Sequence, residues 1–152
     1  MSDDDLPPWY DDLILPVMLT LARRPYGAAI RRALHEAGFT DMPRTGARLV
    51  GGIARNGPSV GNTAAHLGVS KQAASQLVDT LVERGYVTRE PDADDRRRIV
   101  VDLTDRGREA AKHIRGAVER VDRALEKRVG KERIADARTV LASLAELSRS
   151  DR

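Results

Sequence analysis

The sequence contains no cysteine, which excludes disulfides, thiol redox sensing and cysteine-rich zinc sites. Histidine is scarce. His35, His66 and His113 are scattered, and no two have the close spacing of a helical metal site, so neither metal nor cofactor is expected. The turn acids Asp92, Asp94 and Asp95 lack the glycine and terminal glutamate of a calcium loop. No glycine-rich phosphate loop follows a strand, and no serine has a matched histidine and carboxylate in a recognisable context, so no enzymatic activity is expected. The longest apolar stretch, Leu13 to Ala22, is interrupted by Pro16 and Thr20 and is too short to span a bilayer. Nothing has the pattern of a signal peptide, and a cytoplasmic protein without a membrane partner is expected. Aromatics make up only 3% of the chain, yet Trp9, Tyr10 and Tyr26 all fall in the first helical region.

What is present is basic and largely helical in pattern. A chain of 152 residues suits one domain with a sizeable core. Lys and Arg number 26 against 23 Asp and Glu, a net charge of +3. The isoelectric point of about 9.6 lies in the range of nucleic-acid binders. Arginine far outnumbers lysine, and its planar fork suits phosphate.

Residues Val69 to Gly107 are the most informative stretch. Ser70 is suited to cap a helix from Lys71 to Arg84, and Gly85 to end it. Along it Ala74, Leu77, Val78 and Leu81 form one apolar face, while Gln72, Ser75, Gln76 and Asp79 form the opposite one. Glutamine can pair bidentately with an adenine edge, Ser75 can reach a phosphate or a base, and Lys71 adds charge for the backbone. An ordinary amphipathic surface helix would satisfy the same pattern. Two short strands follow, Val87 to Glu90 and Ile99 to Leu103, joined by a polar turn from Pro91 to Arg98. Arg96, Arg97 and Arg98 lie at or just after that turn, where arginine can enter a narrow minor groove. Asp95 is placed to steady a guanidinium by an ion pair. Helix and hairpin together favour double-stranded DNA as the partner.

The flanking segments supply a scaffold. Residues Pro8 to Ala37 read as a kinked helix or two, interrupted at Pro16 and Pro25 and stopped by Gly38. A second helix is expected to open at Pro43 and run through Leu49, Val50 and Ile53, with Gly51 and Gly52 allowing close helix approach. Ser59 is expected to cap a short third helix, Val60 to Leu67. With the helix from Lys71 it forms a helix-turn-helix, which the hairpin makes winged. Thr104 is expected to cap a long helix to Val129, with the narrow seam Ala110, Ile114, Ala117, Val121 and Leu125. Past Gly130, Ile134, Val140, Leu141, Leu144 and Leu147 form a stripe on a last helix. The expected fold is mainly α with a small β-hairpin wing. A winged helix-turn-helix lobe over residues 43–103 is flanked by dimerisation helices at 1–37 and 104–152.

The segment Asp95-Arg96-Arg97, then Val101-Asp102-Leu103-Thr104 and Gly107, resembles the wing signature of the MarR family of transcriptional regulators. Leu81-Val82-Glu83-Arg84-Gly85-Tyr86-Val87 resembles that family's exit from recognition helix to wing. The resemblance implies a homodimer placing two recognition helices in successive major grooves of a pseudo-palindromic operator, with the wings in flanking minor grooves. It implies Gln72, Ser75 and Gln76 as base or phosphate contacts, Arg97 as the wing arginine and Asp95 as its orienting partner; Ser70, Lys71, Arg96 and Arg98 complete the expected DNA-binding set. Gln76 stands where many relatives carry arginine, which favours adenine over guanine there. Thr63 replaces a usual leucine, and Pro16 and Pro25 are unusual in the first helix. Many family members release DNA on binding a small, often aromatic effector between the dimerisation helices and the DNA-binding lobe. The residues expected to line such a site are Trp9, Tyr10, Met18, Tyr26, Arg48 and His113, although dimer packing accounts for the aromatics more readily than a pocket does. Repression is expected, because the family is mostly repressive and no acidic or apolar surface suited to recruiting polymerase is evident. A second reading stays open, a winged-helix protein-interaction or dimerisation module without specific DNA binding.

Overall fold

The computed structural model describes residues 12–60 and 67–150, the side chains of residues 59, 60 and 148–150 excepted. Of the expected kinked helix or two, two form, α1 (Leu15–Ala22) and α2 (Arg24–Glu36). Both prolines sit in first turns, Pro16 in α1 and Pro25 in α2, where a missing N–H leaves no helical bond unmade. They therefore open helices and do not kink one. The next helix, α3 (Gly46–Asn56), starts later than Pro43. Pro43 and Met42 fold over Gly46, where a Cβ would come within 3.1 Å of the Pro43 ring and 3.0 Å of Leu81, so the chain is still turning at Pro43.

Ser59 does not cap the helix that its sequence context predicts. Ser59–Val60 form a short strand, β1, instead. Ser59 lies opposite Val101 and Val60 opposite Val100, so β1 covers an edge of the wing that would otherwise carry unpaired backbone groups. The rest of that expected helix, residues 61–66 with Thr63 and His66, lies outside the described residues, as do Trp9, Tyr10 and the N-terminal aspartates.

The predicted recognition helix is α4 (Lys71–Glu83). Strands β2 (Val87–Pro91) and β3 (Ile99–Leu103) pair antiparallel, giving the sheet order β1-β3-β2. Pro91 extends β2 one residue beyond expectation, opposite Ile99, a strand-end position where its missing donor costs little. Helices α5 (Asp105–Val129) and α6 (Lys131–Ser150) complete the described chain. Thr104 caps α5 as expected, its Oγ1 accepting the Gly107 N–H at 3.0 Å and donating to the Gly85 carbonyl at 2.5 Å.

The described residues divide into two compact units, one spanning Tyr26–Val118 and the other made of the residues before and after it. The first has a continuous core that includes Leu34, Val50, Ile53, Val78, Leu81 and Tyr86, closed by Val101, Leu103, Ala110 and Ile114. The closest approach in this lobe is at Gly107, where a Cβ would overlap the Tyr86 carbonyl oxygen, whereas one on Gly51 would make only an ordinary contact with Ile114, at 3.4 Å. The α5 seam is split. Ala110, Ile114 and Ala117 are buried inside this lobe, Val121 is half-buried, and Leu125 is exposed. In the second unit no described residue is buried, and Val140, Leu141, Leu144 and Leu147 are exposed on α6.

Candidate nucleic-acid interface

The start of α4 is set by Ser70, whose Oγ accepts the Ala73 N–H at 3.1 Å. This fixes the first turn and commits the Ser70 oxygen to the cap. Ala74, Val78 and Leu81 then turn into the core, and Lys71, Gln72 and Gln76 are left exposed on the opposite side, with Ser75 half-buried beside them. The helix ends as the Gly85 N–H reaches the Val82 carbonyl and the Tyr86 N–H reaches Leu81, with Gly85 at φ +71°. Asp79, one turn beyond Gln76, pairs with Arg89 of β2, Nη1 to Oδ1 at 2.7 Å. That bridge joins the recognition face to the wing.

The wing turn is built from aspartates. Asp92 Oδ1 accepts the Asp94 N–H at 2.9 Å, Asp95 Oδ1 accepts the Arg97 N–H at 3.0 Å, and the Arg98 N–H reaches the Asp95 carbonyl at 2.8 Å. The expected ion pair between Asp95 and the wing arginine is therefore not the contact formed. Two residues apart in a tight turn, the short aspartate side chain reaches the backbone donor ahead of it instead. Asp95 holds the Arg97 backbone within the turn. The side chains of Arg96, Arg97 and Arg98 are exposed and form no ion pair among the described residues.

A second cluster went unread in the sequence. Asp41, in the loop between α2 and α3, accepts a hydrogen bond from the Tyr86 hydroxyl at 2.5 Å and pairs with Arg106 at 2.8 Å. Arg106 also donates to the Tyr86 oxygen at 3.1 Å and lies over its ring, 4.6 Å from the centroid. Arg84, at the end of α4, donates to the Asp41 carbonyl. The Tyr86 hydrogen bond, with help from Arg106, holds the Asp41 carboxyl below its usual range. Burial, reinforced by Asp41, pushes the Tyr86 hydroxyl up. The cluster ties the exit of α4 to the start of α5 and so fixes how α4 leaves the core.

Of the six expected effector residues, Trp9 and Tyr10 lie outside the described residues. Met18 and Tyr26 are half-buried and lie in different units. Arg48 is exposed and donates to the Leu67 carbonyl at 2.5 Å, which occupies it at the approach to α4. His113 is half-buried, its ring 5.8 Å from Phe39. A shallow cavity of about 560 Å³ does lie along the wing, lined by Thr88, Glu90, Val100, Asp102, Asp105 and Arg108 among others, but by none of the six expected residues. Among the described residues no group of acids and histidines could hold a metal ion, and no helix is long and apolar enough to cross a membrane.

A sequence model of the MarR family matches residues 40–98, from the loop before α3 to the end of the wing turn. No curated protein matches. Among solved structures, the chain is similar to MarR, with a TM-score of 0.71 and 25% identity over 100% of this chain and 97% of that one. A MarR transcriptional regulator from Methanosarcina mazei Go1 gives a TM-score of 0.74 at 16% identity, covering 91% of this chain and 98% of its own. NadR, in complex with 4-hydroxyphenylacetate, gives 0.72 at 24% identity, covering 92% and 98%. The fold is the MarR winged helix, and the resemblance seen at the wing and at the exit of α4 holds for the matched segment.

Proposed function

We propose that this chain is a homodimeric, sequence-specific DNA-binding regulator of transcription. In this reading α4 enters the major groove of double-stranded DNA. Gln72, Ser75 and Gln76 face base edges, and Gln76 takes adenine. Lys71 and the helix start held by Ser70 face phosphate. Arg96, Arg97 and Arg98 enter the flanking minor groove from a turn that Asp95 shapes. The observation that carries the reading is that these side chains are exposed, the half-buried Ser75 excepted, and, Ser70 and Asp95 apart, uncommitted, on a helix and a hairpin joined by the Asp79–Arg89 bridge.

The unburied α6 residues support a dimer, because an apolar stripe of this kind is covered by a second copy in a stable assembly. A two-fold dimer implies a pseudo-palindromic operator with half-sites about one helical turn apart. We assign residues 1–37 and 104–152 to dimerisation, 43–103 to DNA binding, and the protein to the cytoplasm as a repressor. The bound 4-hydroxyphenylacetate of NadR supports a small aromatic effector here, with Tyr26 and His113 as half-buried candidates to meet it.

Selection of bound fragments from genomic DNA, followed by affinity measurements across salt, tests this. A recurring palindrome is expected, with affinity lost by about 10³-fold or more between 50 and 200 mM salt if six or more phosphates are neutralised. Absence of enrichment, or binding indifferent to salt, would leave a protein-interaction module as the better description. Light scattering at micromolar concentration should give the dimer mass.

A further inference from the structure

Asp79 is an odd residue to find on a face that reads DNA. It lies one turn past Gln76 on the exposed side of α4, where its carboxylate would stand against phosphates. Its partner, Arg89, projects from the wing strand β2, with one guanidinium nitrogen 2.7 Å from the carboxylate. Both side chains remain open to water, Arg89 at 41% and Asp79 at 53%. A helix in the major groove and a wing in the neighbouring minor groove must straddle the phosphate strand that separates the two. The junction of α4 and β2 is where that strand would pass, and it is where Arg89 sits.

We propose that Asp79 restrains Arg89 as a phosphate ligand, so that the pair lowers affinity for DNA of any sequence and leaves discrimination to Gln72 and Gln76. The inference rests on the DNA-binding reading. Paired, the two side chains carry no net charge and release no counterion. Arg89 has five N–H donors in a rigid fork, several of them still free to meet a phosphate oxygen, and an exposed ion pair is weak enough to be competed away. With the carboxylate removed, the strand crossing gains one uncompensated positive charge per lobe.

The test is the anisotropy of a labelled duplex of random sequence, titrated with wild type, Asp79→Asn, Arg89→Gln and the double variant between 50 and 200 mM salt. Asp79→Asn should bind more tightly, with a salt slope steeper by about 0.9 for each lobe engaged. Its advantage over wild type should then grow about threefold per lobe as salt falls across that range. Arg89→Gln should bind more weakly with a shallower slope, and adding Asp79→Asn to it should return binding no further than wild type, because no cation is left there to meet the phosphate. Thermal melts check that the variants fold, and Asp79→Ser provides a second neutral replacement. Weaker binding by a folded Asp79→Asn would make the pair a mechanical clamp on the wing and overturn the proposal. A gain that persists in the double variant would overturn it too, assigning the effect to repulsion by Asp79 alone. Wild type that fails to bind any duplex at 50 mM salt would remove the DNA-binding reading, and this inference with it.

Discussion

Every described side chain taken fully out of water lies between Ala33 and Ala117, whereas α1, α6 and the second half of α5 bury none. The two regions are not different in kind of residue. Leu141, Leu144 and Leu147 on α6 are as apolar as Leu49, Leu81 and Leu103 in the lobe, yet the former are exposed and the latter are at 4%, 0% and 5%. The difference lies in what each is packed against. The lobe packs α2, α3, α4, the first half of α5 and the sheet around one core, while the apolar stripe of α6 stays exposed.

Truncation should separate the two regions most sharply. Leu81→Ala removes a wholly buried side chain from the inner face of α4 and should cost about 3 to 5 kcal/mol in urea unfolding at any protein concentration. Leu144→Ala, at 38% exposure, should leave the lobe's stability nearly unchanged and act on the dimer, so that its loss in Tm grows as the protein is diluted. Equal, concentration-independent losses would abolish the distinction.

A smaller effect is expected at Gly107. An added Cβ would overlap the Tyr86 carbonyl, which itself accepts the Thr104 N–H at 3.1 Å, so the backbone has to shift where α5 joins the wing. Gly107→Ala should cost about 2 to 3 kcal/mol. Gly52→Ala, in the same lobe with nothing within 4 Å, should be neutral or slightly stabilising through helix propensity. Chemical unfolding of both variants separates close packing from intrinsic preference.

Next in size is Gln76→Ala, with a loss of about 1 to 2 kcal/mol confined to one or two base positions, against a sequence-independent loss for Arg97→Ala. Competition between selected and random duplexes would check it. Equal losses on both duplexes for Gln76→Ala would remove that residue from base reading.

How much could be read from the sequence follows the same division by range. The α4 helix was legible because its cap, its apolar period and its terminating glycine are all local, and Ser70 and Gly85 behave as their neighbours predict. The hairpin was legible from the alternation of Ile99, Val101 and Leu103. β1 was not, because a two-residue strand has no period to detect and is defined only by its partners Val100 and Val101. Asp95 was read as an ion-pair partner because sequence distance does not reveal that a backbone N–H lies nearer than a guanidinium. Asp41 gave no signal, since Tyr86 and Arg106 stand 45 and 65 residues away and meet it only in three dimensions.

That long-range cluster supports the smallest expected effect and ties stability to pH at both extremes. Asp41 is held below the ordinary aspartate value of about 4, so its contribution is present above that value and is lost as pH falls through the folded pKa. Tyr86 is raised above the ordinary tyrosine value of about 10, so its contribution is complete below that value and lost as pH climbs through the folded one. One hydrogen bond contributes to both shifts, as the foremost cause for Asp41 and, after burial, for Tyr86. Tyr86→Phe keeps the ring in the core and under Arg106 while deleting that bond. It should cost about 1 kcal/mol near neutral pH, a figure kept low because Asp41 and Arg106 remain partly in water. It should also flatten the decline in stability on the acid side and remove the tyrosine's share of the alkaline one. Urea midpoints measured from pH 3 to 11 would show this. An unchanged acid limb would mean that Arg106, Arg84 and the local backbone hold the Asp41 carboxylate without the hydroxyl, which then contributes to packing at the α4 exit without setting its charge.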